Sequence, residues 1–270
     1  PDRSPVAGEG EGQDQDGAGG GGAVHRQPAV ARGLREALFL DRPGLAGRFP
    51  AGEWDIANCD IGQGDSMVIN LHRHRAIVID VGPDPQLIDR CLHQLGVKEI
   101  PLLLLTHPHA DHVAGLRGAK KNRRIGTTWS GNITAGTHAR IDAIDIDVQW
   151  PQATEFDSNP NNASIAATFT SPDFTLFAAG DIEPPVQAQL LSRIGKVDIY
   201  KVAHHGSRYQ DLDLMRELSP AVAVISVGAE NSYGHPAIST IDALTQLHAK
   251  VLRTDVDGAV AIRAERHRLS

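Results

Sequence analysis

Four side chains of the types that bind metal ions fall within the six positions 107–112 of the sequence. His107, His109, Asp111 and His112 come directly after a short apolar run. Imidazole nitrogens and carboxylate oxygens are the donors that Zn and Mn accept from proteins. His107 and His109 alternate along an extended segment, so both can point to one side, and the next turn brings Asp111 and His112 nearby. The spacing predicts ligands for two adjacent metal ions rather than a group of surface histidines.

The surrounding pattern predicts a domain that mixes strands and helices. Strands are expected at 54–61, 67–71, 76–81, 101–106, 143–148, 164–170, 173–179, 197–203, 221–227, 250–254 and 259–263. Helices are expected at 85–95, 184–194, 212–218 and 238–248. A meander of strands followed by alternating strands and helices indicates an α/β (α+β) fold with two packed sheets covered by helices. We expect one such domain over residues 51–270.

The N-terminal segment differs from the rest in composition. Residues 1 to about 30 are rich in Gly, Asp, Glu and Gln and poor in large apolar side chains. Such a stretch cannot offset its ordering entropy, so residues 1–50 are expected to be a flexible linker, with a short helix over 31–40. The chain begins with Pro1 and shows no signal-peptide pattern, which predicts a fragment of a longer protein. Its longest apolar runs are too short to span a bilayer, so no stable membrane insertion is expected.

Charge and cysteine content limit the functions that the sequence favours. The formal net charge is −7, whereas a protein that holds DNA mainly by neutralising phosphates is usually basic. A role on DNA would therefore depend on a local site where bound cations supply the positive charge. Cys59 and Cys91 are expected to be two buried free thiols, because Cys is commonly buried, with a disulfide as the alternative.

The histidine cluster resembles the signature of the metallo-β-lactamase superfamily. The segment 78–82, Val-Ile-Asp-Val-Gly, is similar to the superfamily's upstream strand end, where the resemblance implies that Asp80 orients a ligand histidine. Segment 179–181, Ala-Gly-Asp, resembles the motif whose carboxylate bridges two metals, which here is Asp181. Segment 202–207, Val-Ala-His-His-Gly-Ser, resembles a later strand end that supplies another histidine. The resemblance implies a four-layer αββα sandwich.

A narrower resemblance covers residues 53–263. Segment 59–66, Cys-Asp-Ile-Gly-Gln-Gly-Asp-Ser, is similar to the Asp-Val-Gly-Gln-Gly-Asp opening of ComEC-type competence proteins, and segments 180–183, 201–207, 231–236 and 253–255 fit the same family. Those proteins are polytopic membrane channels for DNA uptake. The resemblance implies a soluble, C-terminal-type domain on the extracellular side of the cell membrane, joined to the channel portion of the same chain. It further implies a nuclease that degrades one DNA strand while the other enters.

One departure from the superfamily pattern bears on the choice of metal. The superfamily usually has a His shortly before the Gly-Asp motif, where this chain has Asn161 and Asn162. An amide oxygen is a harder and weaker donor than imidazole, which favours Mn over Zn. Asn162 is also a candidate to bind substrate. Two divalent ions are expected, Mn by preference, with Zn as the alternative.

Spacing leaves the later site residues open. Either His204 or His205 could be the late ligand; we favour His205, which directly precedes a glycine. His235 is a third candidate, as ligand or as general acid. The candidate metal ligands are His107, His109, Asp111, His112, Asp181, His204 and His205. The candidate catalytic residues are Asp111, His204, His235 and Lys201. The candidates for contact with the substrate are Asn162, Ser207 and Lys201.

Weaker candidates have ordinary structural alternatives. Asp65 and Gln63 lie in a Gly-rich hairpin, where a role in the turn is favoured over catalysis. Lys201 is interpreted equally as a phosphate contact or as a solvated strand lysine. The basic run at 120–124 is interpreted as a solvated loop, with DNA contact as the alternative.

Together these features predict a metal-dependent hydrolase, a DNA nuclease in which two ions activate water and stabilise charge on a phosphodiester. Hydrolysis of another ester, such as a lactone or thioester, is the alternative within enzymes. A non-catalytic module that binds DNA or a partner of the uptake machine is the alternative of a different class.

Overall fold

A computed structural model describes the backbone of Leu34–Phe39 and the residues 54–153 and 158–264. Its strands are β1 Leu34–Phe39, β2 Ile56–Asn58, β3 Met67–Asn70, β4 Ala76–Ile79, β5 Glu99–Leu104, β6 Arg124–Trp129, β7 His138–Ile141, β8 Ile144–Trp150, β9 Ala166–Thr170, β10 Thr175–Ala178, β11 Ile199–Lys201, β12 Val222–Ile225, β13 Lys250–Arg253 and β14 Val260–Ala264. Its helices are α1 Pro85–Gln94, α2 Ala110–Val113, α3 Leu116–Lys120, α4 Pro184–Gln189, α5 Leu212–Leu218, α6 Ile238–Gln246 and α7 Thr254–Asp257. Short 3₁₀ turns lie at Pro160–Ala163 and Ala203–Gly206.

Within these residues the strands form two sheets of mixed polarity. The first has the order β1–β14–β2–β3–β4–β5–β6, and the second has the order β13–β12–β11–β10–β9–β8–β7. Strands β4, β5 and β6 run parallel, as do β10 to β13, while the remaining neighbours are antiparallel. The carboxyl ends of parallel strands are where α/β proteins commonly bind ligands, because the loops there are free to carry polar residues.

The alternation of side chains along the strands separates three apolar layers. In β4, Ile77 and Ile79 lie in the core between the sheets, whereas Val78 faces the layer that contains Ile88 and Leu92 of α1. A third apolar cluster packs α4, α5 and α6 against the outer face of the second sheet. Because the central strands are buried on both faces, they read as nearly continuous apolar runs in the sequence. The predicted α/β architecture with two helix-covered sheets is confirmed.

Two expectations about local structure are wrong. Leu34–Phe39 is a strand that pairs antiparallel with β14, instead of part of a helix over 31–40. Pairing with a sheet edge supplies the backbone hydrogen bonds that a helix would otherwise make. The edge strands β6 and β7 were not predicted at all, because their exposed and half-buried positions lack a long apolar pattern. The linker predicted over 1–50 lies, apart from β1, outside the described residues.

Cys59 and Cys91 form a disulfide, so the expectation of two free thiols is wrong. The N-cap of helix α1 is Asp84, whose side chain accepts the Gln86 N–H. The buried face of the helix carries Cys91 toward the first sheet. Cys59 lies just after β2 on that same face, and both residues are buried. Burial was predicted correctly, but the pairing depends on tertiary packing that no local pattern shows. Among the described residues, no helix is long and apolar enough to cross a membrane.

Candidate metal centre

The site is built from loops at the carboxyl ends of strands in both sheets. Asp80 follows β4, the histidine cluster follows β5, Asp181 follows β10 and His205 follows β11. Gly180 has φ of +56°, and a Cβ there would press on Ser164 at 2.8 Å, so a residue without a side chain is required before Asp181. The fold thus brings residues that are widely separated in the chain to one point.

Asp181 occupies the centre of the cluster. Its Oδ2 lies 3.2 Å from His112 Nε2, 3.5 Å from His205 Nε2 and 3.8 Å from His107 Nε2. Asp181 is almost fully buried, and its other oxygen, Oδ1, has no hydrogen-bond partner in the described structure. A buried carboxylate without hydrogen bonds is costly unless a cation compensates it.

The remaining donors fall into two groups around this carboxylate. His109 Nδ1 lies 3.0 Å from His107 Nε2 on one side. On the other side, Asp111 Oδ2 lies 3.3 Å from His205 Nε2. Asp111, His112 and His205 are one of the sets of donors close enough together to hold an ion, and His107, His112 and Asp181 are another. These two sets share His112, and Asp181 Oδ2 lies within 4 Å of every histidine in them, whereas His109 and His204 belong to neither set.

Hydrogen bonds on the far side of the His112 ring hold that ring in place. His112 Nδ1 donates to Asp80 Oδ2 at 2.8 Å, and Thr106 donates to the same carboxylate through both its N–H and its hydroxyl. Each interaction leaves Nε2 of His112 facing the centre. Asp80 thus lies where the resemblance implied, and such outer partners fix the tautomer of a metal-binding histidine.

Ser164 has an equivalent role that sequence analysis missed. Its buried hydroxyl lies 3.2 Å from His107 Nδ1 and accepts the Asp181 N–H at 3.0 Å. It therefore orients one ligand of each kind, imidazole and carboxylate. Its place two residues after Asn162 and two residues before β9 was the only signal that could have drawn attention to it.

The electrostatics of the site match a centre made to receive positive charge. Burial acts to lower the pKa of His112, but the carboxylates of Asp181 and Asp80 outweigh it and hold that pKa well above the usual range. Asp181 and Asp65 likewise overcome burial and raise the pKa of His205 to about 10. Burial, with the nearby His112, lowers the pKa of His107 to about 3.

Backbone geometry distinguishes His205 from His204. Both have left-handed backbones, with φ of 53° and 50°, a conformation that costs a non-glycine residue of order 1 kcal/mol or more. This turn sends the two rings in different directions. The His205 ring is buried against Asp111 and Asp181, whereas the His204 ring lies at the rim, with Nδ1 3.6 Å from Glu183 Oε1. The geometry favours His205 as the late donor and leaves His204 beside the site.

His235 also lies at the rim. Its ring centroid is 5.5 Å from that of His204 and 6.4 Å from that of His205. Burial and the two neighbouring histidines lower its pKa to about 4. A ring with this pKa is mostly neutral at pH 7, and the general-acid role of His235 stays a prediction.

Three other predicted site residues have different surroundings from those expected. Lys201 is only 2% exposed and pairs with Asp65 at 2.7 Å, so it is neither solvated nor presented to substrate. Ser207 is fully buried, and its hydroxyl accepts the Tyr209 N–H, which closes a local turn. Asn162 Oδ1, the oxygen expected to contact a metal ion or the substrate, accepts the Glu183 N–H at 2.9 Å.

The two weaker candidates differ in outcome. Asp65, expected to serve a turn, is buried with Oδ1 3.1 Å from His205 Nδ1. In the basic run, Arg123 bonds to Asp89 and to backbone carbonyls, while Arg124 pairs with Glu99. The Arg124 side chain is 83% exposed, as expected for a solvated loop, whereas the Arg123 side chain is only 4% exposed.

Comparisons with known proteins agree with this arrangement. A model of the metallo-β-lactamase superfamily matches residues 59–138, which include the histidine cluster. This match confirms that the chain resembles the metallo-β-lactamase superfamily. Its fold is similar to that of the metallo-β-lactamase fold protein YhfI from Bacillus subtilis, with a TM-score of 0.50 and 11% identity, over 76% of this chain and 98% of that one.

Two curated relatives are competence proteins. The chain is 24% identical to ComE operon protein 3 of Bacillus subtilis (strain 168), over 79% of this chain and 33% of that protein. It is 25% identical to competence protein ComA of Neisseria gonorrhoeae, over 78% of this chain and 32% of that protein. The chain thus spans about a third of the length of these relatives. The matches confirm the resemblance to ComEC-type competence proteins.

Proposed function

We propose that this metal-dependent hydrolase domain is a DNA nuclease with two divalent cations, and that it degrades the strand that is not taken up during competence. The observation that carries the proposal is the position of Asp181. One of its carboxylate oxygens, Oδ2, lies within 4 Å of three histidine nitrogens. His107 and His112 come from the segment after β5, and His205 comes from the loop after β11. A pair of ions bridged by a carboxylate is the arrangement used in many phosphodiesterases.

The donors fit such a pair. His112 Nε2 and His205 Nε2 are both buried and have no hydrogen-bond partner in the described structure, although each lies near Asp181. When several ligand atoms point toward one position, they lie close together without being aligned for hydrogen bonds to each other, as these two nitrogens and Asp181 do. We assign His107, His109 and Asp181 to one cation, and Asp111, His112, His205 and Asp181 to the other.

Two such cations, when bound, would supply Lewis acidity toward a phosphoryl oxygen and would lower the pKa of a bound water molecule to near 7. The chain's own residues would bind and orient the rest of the reaction. His204, at the rim beside Glu183, is the remaining candidate to donate a proton to the leaving oxygen, since the neutral His235 is a poor acid. His235 is better suited to donate or accept a hydrogen bond with the phosphodiester.

Exposed aromatic residues at the rim support a nucleic-acid substrate. Tyr233 is 71% exposed, and its ring lies nearly parallel to that of His235, at 14° and 6.0 Å between centroids. Tyr209 is 52% exposed, follows the His205 loop, and has the Arg208 guanidinium 5.0 Å from its ring. Proteins hold single strands by stacking bases on such rings, without reading the sequence. Stacking of DNA bases on Tyr233 and Tyr209 would bind a single strand without a basic protein surface.

Manganese remains our proposal for the metal. Among the described residues, the set around His107 has only two imidazoles, because Asn161 and Asn162 take the place of a third. The amide oxygen of Asn162 already accepts the Glu183 N–H, which leaves it one lone pair. A set poor in nitrogen donors disfavours Zn relative to Mn.

The disulfide supports a location outside the cytoplasm. Cys59 and Cys91 are joined in this structure, and stable disulfides are characteristic of oxidising compartments. The relatives named above are about three times as long as the matching region. We therefore propose that the domain lies on the extracellular side of the cell membrane, as part of a longer protein that includes the DNA channel.

Restoring metal to stripped protein tests the proposal. Metal-free protein would be mixed with single- or double-stranded DNA at low, fixed salt, and Mn²⁺, Mg²⁺ or Zn²⁺ added back. We expect cleavage with Mn²⁺, and none in Asp181→Ala. The matched control is His138→Ala, which removes an exposed histidine paired with Asp147 and should leave cleavage unchanged. Turnover of a lactone or thioester with no DNA cleavage under any metal would contradict the nuclease assignment.

A further inference from the structure

Asp65 and Lys201 form a buried ion pair beside the metal centre. Lys201 Nζ donates to Asp65 Oδ2 at 2.7 Å, and both side chains are at most 5% exposed. Lys201 is the only buried lysine in residues 54–153 and 158–264. Asp65 precedes β3 of the first sheet and Lys201 ends β11 of the second, so the pair joins the two sheets at the site.

Asp65 contacts the loops of two proposed ligands at once. Its backbone N–H donates to the carbonyl of Asp111 at 3.1 Å, and its own carbonyl accepts the Gly82 N–H. Its Oδ1 lies 3.1 Å from His205 Nδ1. Asp111 and His205 are both assigned to the second cation, the one that does not include His107 and His109.

The ring of His205 is fixed from its outer side. Nδ1 lies 3.0 Å from the Ser226 carbonyl, which accepts its proton, with the Asp65 carboxylate adjacent. This leaves Nε2 facing Asp111 and Asp181. Ser226 in turn donates its hydroxyl to the carbonyl of Gly64, directly before Asp65. A side chain at Gly64 would collide with the Asp111 carbonyl, so these loops are packed against each other without spare room.

From this arrangement we propose that Asp65 and Lys201 are positioning residues that set the affinity of the second cation position. Asp65 holds the Asp111 loop with its backbone and sets the orientation of His205 with its carboxylate. Lys201 balances the charge of that carboxylate inside the protein. A buried ion pair is weak evidence for stability, because desolvation offsets its attraction, and a role in the adjoining site accounts for its presence better.

The test is a Mn²⁺ titration of the full chain, following free Mn²⁺ by electron paramagnetic resonance. The variants are Asp65→Asn, Lys201→Met and the double variant that carries both. The double variant is needed because Lys201→Met alone leaves a buried carboxylate uncompensated and can prevent folding. The matched control is Asp55→Asn, which alters another carboxylate of the first sheet, one that accepts the Ala264 N–H away from the site.

We expect one of the two Mn²⁺ equivalents to weaken about 10- to 100-fold in Asp65→Asn and in the double variant, with the other within about threefold of wild type. Co²⁺ absorption bands should shift in the same variants, since they report ligand geometry, and should not shift in Asp55→Asn. Wild-type affinity for both equivalents, or an equal loss of both, would overturn the proposal.

The inference rests on the two-cation site of the proposed function, and the same titration separates the two claims. Fewer than two equivalents bound by the wild-type protein would refute the two-cation site itself. Two equivalents in wild type with unchanged binding in the variants would refute only the role of Asp65 and Lys201.

Discussion

Loss of the disulfide between Cys59 and Cys91 should destabilise the domain strongly. The bond closes a loop with a sequence separation of 32 residues. The entropy that this closure removes from the unfolded chain corresponds to about 3 to 4 kcal/mol at 25 °C. We therefore expect Cys59→Ala/Cys91→Ala to lower the free energy of unfolding by about that amount. This is a large share of the about 5–15 kcal/mol typical of a folded domain.

Urea unfolding followed by circular dichroism provides the measurement, with metal content held constant because bound ions shift apparent stability. The midpoint should fall by about 1 to 2 M urea. Reduced wild-type protein is the control, since it loses the cross-link but keeps both sulfur atoms packed between α1 and the first sheet. A midpoint within about 0.3 M of the oxidised wild type, for both proteins, would refute the reasoning from loop closure.

Three further predictions concern the metal centre, the aromatic rim and the N-terminal segment. The raised pKa values of His112 and His205 predict that both rings are protonated at pH 7 in the metal-free protein, so binding two cations should release about two protons and should tighten as pH rises from 7 to 9. Calorimetry in buffers of different ionisation enthalpy measures the proton release, and the absence of any release would contradict the prediction. Tyr233→Ala should weaken binding of single-stranded DNA by about 1 to 3 kcal/mol without changing Mn²⁺ affinity, measured by fluorescence anisotropy with the exposed Val256→Ala as control, and unchanged binding would remove the stacking role. Deleting residues 1–30 should leave the unfolding midpoint unchanged, and strong hydrogen-exchange protection there would show that the linker prediction is mistaken.

The sequence predicted the parts of the fold that depend on local pattern. The apolar run before His107 predicted a buried strand that leads into the histidine cluster, and β5 is that strand. The helix predicted at 85–95 matches α1 within one residue. Alternation and capping are local properties, so they can be recognised without tertiary information. The edge strands β6 and β7 have no such signal, because solvent covers part of both of their faces.

Roles that depend on distant residues were beyond the sequence. Asp65 looks like a hairpin residue, and its partner Lys201 lies 136 positions away. Lys201 itself looked solvated because a single lysine in a short strand gives no sign of its partner. The choice between His204 and His205 needed the left-handed backbone that turns one ring inward and the other toward the rim.

The central claim is that Asp181 bridges two cations, and crystals soaked in Mn²⁺ test it most directly. Anomalous scattering at the Mn edge should show two peaks, one beside His107 and His109 and one beside Asp111, His112 and His205, with the Asp181 carboxylate bound to both. A single peak, or two peaks of which one has no contact with Asp181, would contradict the account.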